Sequence, residues 1–264
     1  MDLGVEKLIG RKEGAIGWMI FNNPERRNAV SLEMWRAIPE VLAAFEADPE
    51  VRVVIFRGAG ERAFVSGADI SQFEAERSDS TAEARYSAAS AAANAAMAGL
   101  SKPSIAMIRG YCIGGGLAVA LTCDLRLCSE ESRFAIPAAK LGLGYGFAGI
   151  KTLIDVVGPA IAKEILFTAR QFSAEEALRV GLVNRVAPAA DLEAMVRDYA
   201  ATIGANAPLT VRAAKLAARE ALRDPERRRL AEVEAAVAAC FDSADFKEGR
   251  TAFMEKRTPA FRGV

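Results

Sequence analysis

The sequence contains no histidine in 264 residues. That absence excludes a Ser-His-Asp triad, a Cys-His pair and a histidine-bound metal. Any acid or base must be Asp, Glu, Lys, Tyr, Cys or a water held by backbone. Net charge is also missing: 34 basic side chains cancel 34 acidic ones, so nothing in the balance points to nucleic acid. Cysteine is scarce. Cys112, Cys123, Cys128 and Cys240 are not spaced as zinc ligands, and three of them sit among apolar or small residues, as reduced core thiols do. No metal site is expected. Hydrophobic residues make up 52% of the chain, yet no run reaches the length of a membrane span without charge. The opening Met1-Asp-Leu-Gly-Val-Glu6 lacks a basic region followed by an apolar one, so a secretory signal is not expected and the reading is cytoplasmic.

What is present alternates between short strands and helices. Val5 to Ile9 and Ile16 to Phe21, with Gly14 between, read as an antiparallel pair. After a polar turn containing Pro24, Ser31 caps a helix to about Phe45, and Asp48-Pro49 stops it. Val51 to Arg57 is a β-branched strand, and Ala63 to Ile70 a strand giving way to helix. Residues 72–98 are rich in Ala, Ser and charge, and read as a loop and a solvated helix leading to Leu100. Segments that close over a substrate share this character. Strands follow at Ser104 to Ile108 and Leu125 to Ser129, with a further short one at Phe134 to Pro137. Two helices are separated by Gly158-Pro159, and Ser173-Ala-Glu-Glu176 is a capping box with Gly181 at the helix end. From Asp191 the pattern is helical: a first helix to about Ala205, a second to Leu222, a third from Asp224-Pro225 to Phe241, and a last from Ala244 to Phe253. The arginines at 227–229 read as decoration of a solvated face. The alternation predicts an α/β fold with a largely parallel sheet over 1–190, and the helical region 191–264 suits subunit contact.

Two glycine-containing junctions follow strands: Phe64-Val-Ser-Gly-Ala-Asp69 and Cys112-Ile-Gly-Gly-Gly116. A helix start leaves N–H groups without intrahelical partners, and they face the positive end of the helix dipole. Two such donors converging on a carbonyl oxygen would stabilise an enolate or oxyanion. A packing turn is the plain alternative for either. A dinucleotide site is disfavoured, because neither junction forms G-x-G-x-x-G after the first strand.

Seven stretches, in order, carry a resemblance: Asn22-Asn-Pro-Glu-Arg-Arg-Asn-Ala29, Ala63 to Ile70, Lys102-Pro103, Gly110-Tyr-Cys-Ile-Gly-Gly-Gly116, Cys123-Asp124, Gly181-Leu-Val-Asn184 and Thr251 to Arg257. Together they resemble the enoyl-CoA hydratase/isomerase (crotonase) family over nearly the whole length. The resemblance implies a spiral of ββα units, a C-terminal helical region that forms trimers or a dimer of trimers, and an acyl-CoA substrate with no permanently bound cofactor. It implies that the N–H groups of Ala68 and Gly115 hold the thioester carbonyl. Arg26, Gly67, Asp69, Ile70 and Gly114 would line the substrate path, with Phe253 and Lys256 near the coenzyme A entrance from the same or a neighbouring chain.

The hydratases of that family place and split water with two glutamates. The matching positions here are Ala118 and Ala138, and no acid occurs between Phe134 and Ile154. Alanine neither orients nor deprotonates water. Lys140, Tyr145 and Lys151 remain as candidates near the expected cleft. Lys140 reads as a surface residue or a phosphate or carboxylate contact. The stretch Leu141 to Ile150 is similar to that of methylmalonyl-CoA decarboxylase, which carries a tyrosine at the place of Tyr145; a half-buried packing ring is its other reading. Glu74 and Glu76 are the best substitute carboxylates. Three functions follow as expectations: an acyl-CoA enzyme with enolate chemistry, a decarboxylase of a short branched acyl-CoA among them; a hydratase or isomerase with a different acid or base; and a non-catalytic CoA-binding protein.

Overall fold

A computed structural model describes residues 2–67 and 80–264 of the chain. The expected Ala68, Asp69, Ile70, Glu74 and Glu76 lie outside the described residues. The strands are β1 (Asp2–Val5), β2 (Leu8–Glu13), β3 (Ile16–Phe21), β4 (Val53–Gly58), β5 (Ala63–Val65), β6 (Ser104–Ile108), β7 (Tyr111–Ile113), β8 (Leu125–Ser129), β9 (Arg133–Ala135), β10 (Phe172–Ser173) and β11 (Arg185–Ala187). The helices are α1 (Leu32–Ala47), α2 (Ser80–Gly99), α3 (Gly115–Thr122), α4 (Phe147–Thr168), α5 (Ala174–Arg179), α6 (Leu192–Ala205), α7 (Pro208–Ala221), α8 (Leu230–Asp242) and α9 (Ala244–Glu255).

Among the described residues the strands form two sheets. The larger has the order β1-β2-β3-β4-β6-β8-β11, and the smaller β10-β9-β7-β5. From β3 to β11 every neighbouring pair of the large sheet is parallel. Each repeat sends one strand into each sheet: β4 then β5, β6 then β7, β8 then β9. Short turns at 59–62, 109–110 and 130–132 join them, and a helix carries the chain to the next repeat. This is the expected spiral of ββα units. Parallel strands need such a crossover, and the helix covers the sheet while making it.

Packing follows the apolar periodicity. Helix α1 buries Met34, Trp35, Ile38, Val41, Leu42 and Phe45. Each large side chain removed from water contributes about 1.5–3 kcal/mol. The Ser31 hydroxyl accepts the Met34 N–H at its start, as expected of an N-cap. Helix α2 docks on α1, and Trp35 Nε1 donates to the Tyr86 hydroxyl at 3.0 Å. The far side of the large sheet is closed by α6, where Leu192, Val196 and Ala200 meet Trp18, Val53, Ile55, Ile105 and Leu127. That helix therefore belongs to the packed body, although it lies beyond the boundary expected near residue 190.

Several local expectations need correction. The first expected strand, Val5 to Ile9, is two strands broken by a turn at Glu6-Lys7, with β1 and β2 antiparallel. Strand β7 was not expected. Asp191 precedes α6 but makes no side-chain cap. Asp224-Pro225 opens a short 3-10 turn rather than a long helix, and α8 starts only at Leu230. Arg229 is not surface decoration: its guanidinium and N–H both hold the buried Glu220 carboxylate. The capping box at Ser173 and Glu176 is present, and Gly158 breaks α4 with φ of +76°.

Candidate active site

The candidate site forms where β5 ends and α3 begins. Its first wall is built by the 22–29 turn. Asn23 and Asn28 are buried there, and Arg27 and Asn28 take left-handed backbone with φ of +53° and +58°. The Asn28 amide donates to the carbonyls of Ala59 (3.0 Å) and Ala63 (2.7 Å), and its oxygen accepts the Asn23 N–H. Asn23 in turn donates to the Ala29 carbonyl at 3.0 Å. The turn thereby grips both ends of the 59–62 loop. It also holds the strand's exit: the Val30 N–H donates to the Gly67 carbonyl at 2.9 Å, and the Ser66 N–H to that of Arg27 at 3.2 Å.

The second wall is the glycine turn. Gly114 caps α3, with its N–H given to the Ala135 carbonyl at 2.7 Å. The first helical bond runs from the Ala118 N–H to the Gly114 carbonyl. Gly115 is therefore the first helical residue, and its N–H has no intrahelical acceptor. At Gly116 a β-carbon would overlap the carbonyl of Val65, so only glycine lets α3 approach β5 this closely. Gly67, at φ of +109°, faces the same point: a β-carbon there would lie 3.7 Å from the Gly115 nitrogen and 3.5 Å from the Ile113 oxygen. The two glycine junctions picked out in the sequence thus meet in space.

The third wall is the 3-10 turn Pro137–Leu141. Its Pro137 ring lies 3.8 Å from the β-carbon position of Gly114, which brings Ala138 to the head of α3. Ala138 is buried and Ala118 is half-buried. Tyr145 follows in the 142–146 loop. Its ring packs over Gly149, where a β-carbon would come within 2.7 Å of Cε1. The phenol is half-buried, burial pushes its pKa up, and its hydroxyl has no hydrogen-bond partner among the described residues. Lys140 is exposed on the 3-10 turn. Arg26 is exposed as well, and its carbonyl accepts the Ser66 hydroxyl at 3.2 Å.

Phe253 is not brought to this turn within one chain. Phe253 is 82% exposed and lines an apolar groove of about 930 Å³ between α7, α8 and α9, whose lining includes none of the glycine-turn residues. Lys256 ends α9 in left-handed backbone. Two other stretches behind the resemblance hold the frame. The Asp124 carboxylate accepts the Ser104 N–H and hydroxyl and pairs with Lys215 at 2.7 Å. The Asn184 side chain accepts the Arg126 N–H at 2.8 Å.

This arrangement has counterparts across its length. The profile of the family described as Enoyl-CoA hydratase/isomerase matches residues 11–264. The chain belongs to the enoyl-CoA hydratase/isomerase family. The short-chain-enoyl-CoA hydratase of Clostridium acetobutylicum is 36% identical over 254 residues, covering 96% of each chain. The carnitinyl-CoA dehydratase of Escherichia coli O157:H7 is 34% identical over 262 residues, covering 98% of this chain and 99% of its own. The crystal structure of an enoyl-CoA hydratase/carnithine racemase from Magnetospirillum magneticum superposes with a TM-score of 0.91 at 36% identity, over 99% of this chain and 97% of that one. Enzymes of this family act on coenzyme A thioesters without a permanent cofactor. No described helix is long and apolar enough to cross a membrane.

Proposed function

We propose that this enzyme stabilises the enolate of an acyl-CoA without paired glutamates, and that its reaction is decarboxylation of a short branched acyl-CoA. What supports this reading is the pair Ala118, in the first turn of α3, and Ala138, on the 3-10 turn beside it, at the positions that the resemblance matches to the two glutamates of the hydratases. Loss of CO2 needs no base. The bond from the α-carbon to the carboxylate breaks, and its electron pair moves to the thioester oxygen. The N–H groups of Gly115 and Ala68 then hold that oxyanion. The α-carbon takes up a proton, and the thioester carbonyl reforms. A site without carboxylates also spares an anionic substituent from like-charge repulsion.

Tyr145 is the proposed donor. Burial favours the protonated phenol, so it can hold a hydrogen bond to the departing carboxylate and give its proton to the α-carbon once CO2 has left, water then restoring the phenol. Arg26, Gly67, Asp69, Ile70 and Gly114 are proposed to line the path, with Lys140 as an anion contact. Phe253 and Lys256 would serve the entrance of a neighbouring copy in a trimer or dimer of trimers, and the apolar groove that Phe253 lines suits such a contact. Replacing Tyr145→Phe tests the assignment. CO2 release from methylmalonyl-CoA is expected to fall at least about tenfold with KM little changed. An unchanged rate removes Tyr145 from the chemistry.

Hydration is the second reading, favoured by relatives known as hydratases or a dehydratase that are 34–36% identical over nearly the full chain. It requires Glu74 or Glu76 as the acid or base. Hydration of crotonyl-CoA that survives Glu74→Gln with Glu76→Gln would remove that assignment.

A further inference from the structure

At the edge of the large sheet where β4 and β6 begin, a cavity of about 90 Å³ has a lining that includes Arg52, Lys102, Pro103, Asn206, Arg212 and Arg262. It shares no residue with the glycine turn. The topology gathers the cations. Strands β4 and β6 run parallel, so Arg52 and Lys102, which precede them, share one edge. Helix α7 opens at the same place with Pro208 and brings Arg212 one turn later. The C-terminal tail completes the ring. Arg52 Nη2 donates to the Phe261 carbonyl at 3.3 Å, and a β-carbon at Gly263 would lie 3.3 Å from the Pro208 ring and 3.5 Å from Arg52 Nη1.

Lys102 is 1% exposed. Its ammonium donates to the carbonyls of Phe45 (2.5 Å) and Asp48 (2.6 Å), and to no carboxylate among the described residues. Burial first, and then the charge of Arg212, push its pKa down. The neighbouring acids are committed elsewhere. Glu46 accepts the Ser101 N–H and hydroxyl, and Asp48 pairs with Lys12 at 2.8 Å. Asp245 accepts the main-chain N–H groups of Arg262 and Gly263, and Glu248 holds Arg257. No acid lines the cavity, and Arg52, Arg212 and Arg262 form no ion pair among the described residues. Four cationic side chains thus surround one small space, with the positive end of the α7 dipole beside them. Like charges held this close repel, and an anion between them relieves the repulsion. Guanidinium forks match tetrahedral oxyanions in geometry. We propose that this cavity binds a small tetrahedral oxyanion, inorganic phosphate or sulfate, which ties α7 and the C-terminal tail to the large sheet.

The volume sets the size of the ligand. Liquid water takes about 30 Å³ per molecule, so the space admits a group of a few atoms rather than a nucleotide. The inference does not rest on the acyl-CoA reading. Its test is calorimetric titration and thermal melting of the native chain and an Arg212→Gln/Arg262→Gln variant, with inorganic phosphate and with sulfate. Coenzyme A is present throughout, so that phosphate gains nothing at the acyl-CoA site, and chloride holds the ionic strength constant. Arg212 is half-buried and Arg262 exposed, and neither guanidinium makes a hydrogen bond among the described residues. The variant is therefore expected to fold, and melting without oxyanion reports it.

Phosphate and sulfate are expected to bind the native chain with a Kd of about 1 mM or tighter, and to raise its melting temperature as their concentration rises. The variant is expected to bind at least about tenfold more weakly and to lose that rise. The proposal is overturned if the native chain shows no saturable oxyanion binding, or if the variant binds as the native chain does. It is overturned as well if chloride alone raises the melting temperature as far as phosphate does, since the site would then select charge and not an oxyanion. Should the double variant fail to fold, Arg262→Gln alone, which changes one exposed side chain, carries the same comparison. Failure of the chain to bind coenzyme A would remove the acyl-CoA reading and leave this comparison intact.

Discussion

On the proposed reading, Ala118 and Ala138 matter by what they cannot do, and the missing histidine sharpens the point. With neither carboxylate nor imidazole at the head of α3, the described part of the site offers one titratable side chain beside the exposed Lys140: the Tyr145 phenol. Burial raises its pKa above the ordinary value of 10.0, so it stays protonated at every pH below that. On the decarboxylation reading the rate profile is therefore flat between about pH 6 and 9 and falls only in strong alkali. Steady-state rates across that range check this. A fall on the acid side would reveal a working carboxylate, and Glu74 and Glu76 would be the first to substitute. The buried thiols offer no alternative nucleophile, since burial pushes Cys123 and Cys128 up to about 12 and raises Cys112 well above its ordinary value. These residue identities were all legible in the sequence. The packing of Tyr145 on Gly149 was not, because it depends on how the 142–146 loop folds back on α4.

At the scale of elements, the site exists because α3 starts against the end of β5. Gly116→Ala tests that contact. The added methyl overlaps the Val65 carbonyl, so the helix start must shift from its strand. Activity is expected to fall about 10²-fold or more, as when an oxyanion donor is lost, together with a lower melting temperature. A fully active, equally stable variant would contradict this account of the turn. The C-terminal tail gives a second test. Glu248 accepts both Nη atoms of Arg257, at 2.6 and 2.8 Å, and the Ala260 N–H. Those bonds hold its pKa near 2 against an ordinary 4.5. A carboxyl lowered on folding stabilises the chain above its ordinary value, and that stabilisation is lost as pH falls from about 4.5 toward 2. Exchange of the Ala260 amide should quicken across that window, and Glu248→Gln should quicken it already at neutral pH.

Elements were also where the sequence was least complete. Long periodic helices and β-branched runs showed plainly, because burial of one face sets their pattern. The three-residue strand β7 did not, since Tyr111 to Ile113 has too few residues to show alternation and owes its state to β5 and β9 on either side. The clamp by Asn23 and Asn28 lies in a stretch that carries the family resemblance but locally reads only as a polar turn. The signal was present in two asparagines flanking a proline turn, since asparagine tolerates left-handed backbone and pairs with nearby carbonyls. Its partners at Ala59 and Ala63 are more than 30 residues away, beyond any local pattern.

For the whole molecule, two sheets wound from ββα repeats bring Gly67 and Gly115 together from positions far apart in the chain, and membership of the enoyl-CoA hydratase/isomerase family sets the substrate class. Family membership alone does not fix the reaction. Backbone donors that hold an enolate oxygen suit addition of water, shift of a double bond or loss of CO2 alike, and the side chains around them choose. The most direct measurement is a mass readout of the purified chain incubated in parallel with methylmalonyl-CoA and crotonyl-CoA. The account predicts loss of CO2 from the first and no rapid gain of water on the second. Rapid hydration of crotonyl-CoA, with methylmalonyl-CoA left intact, would contradict it.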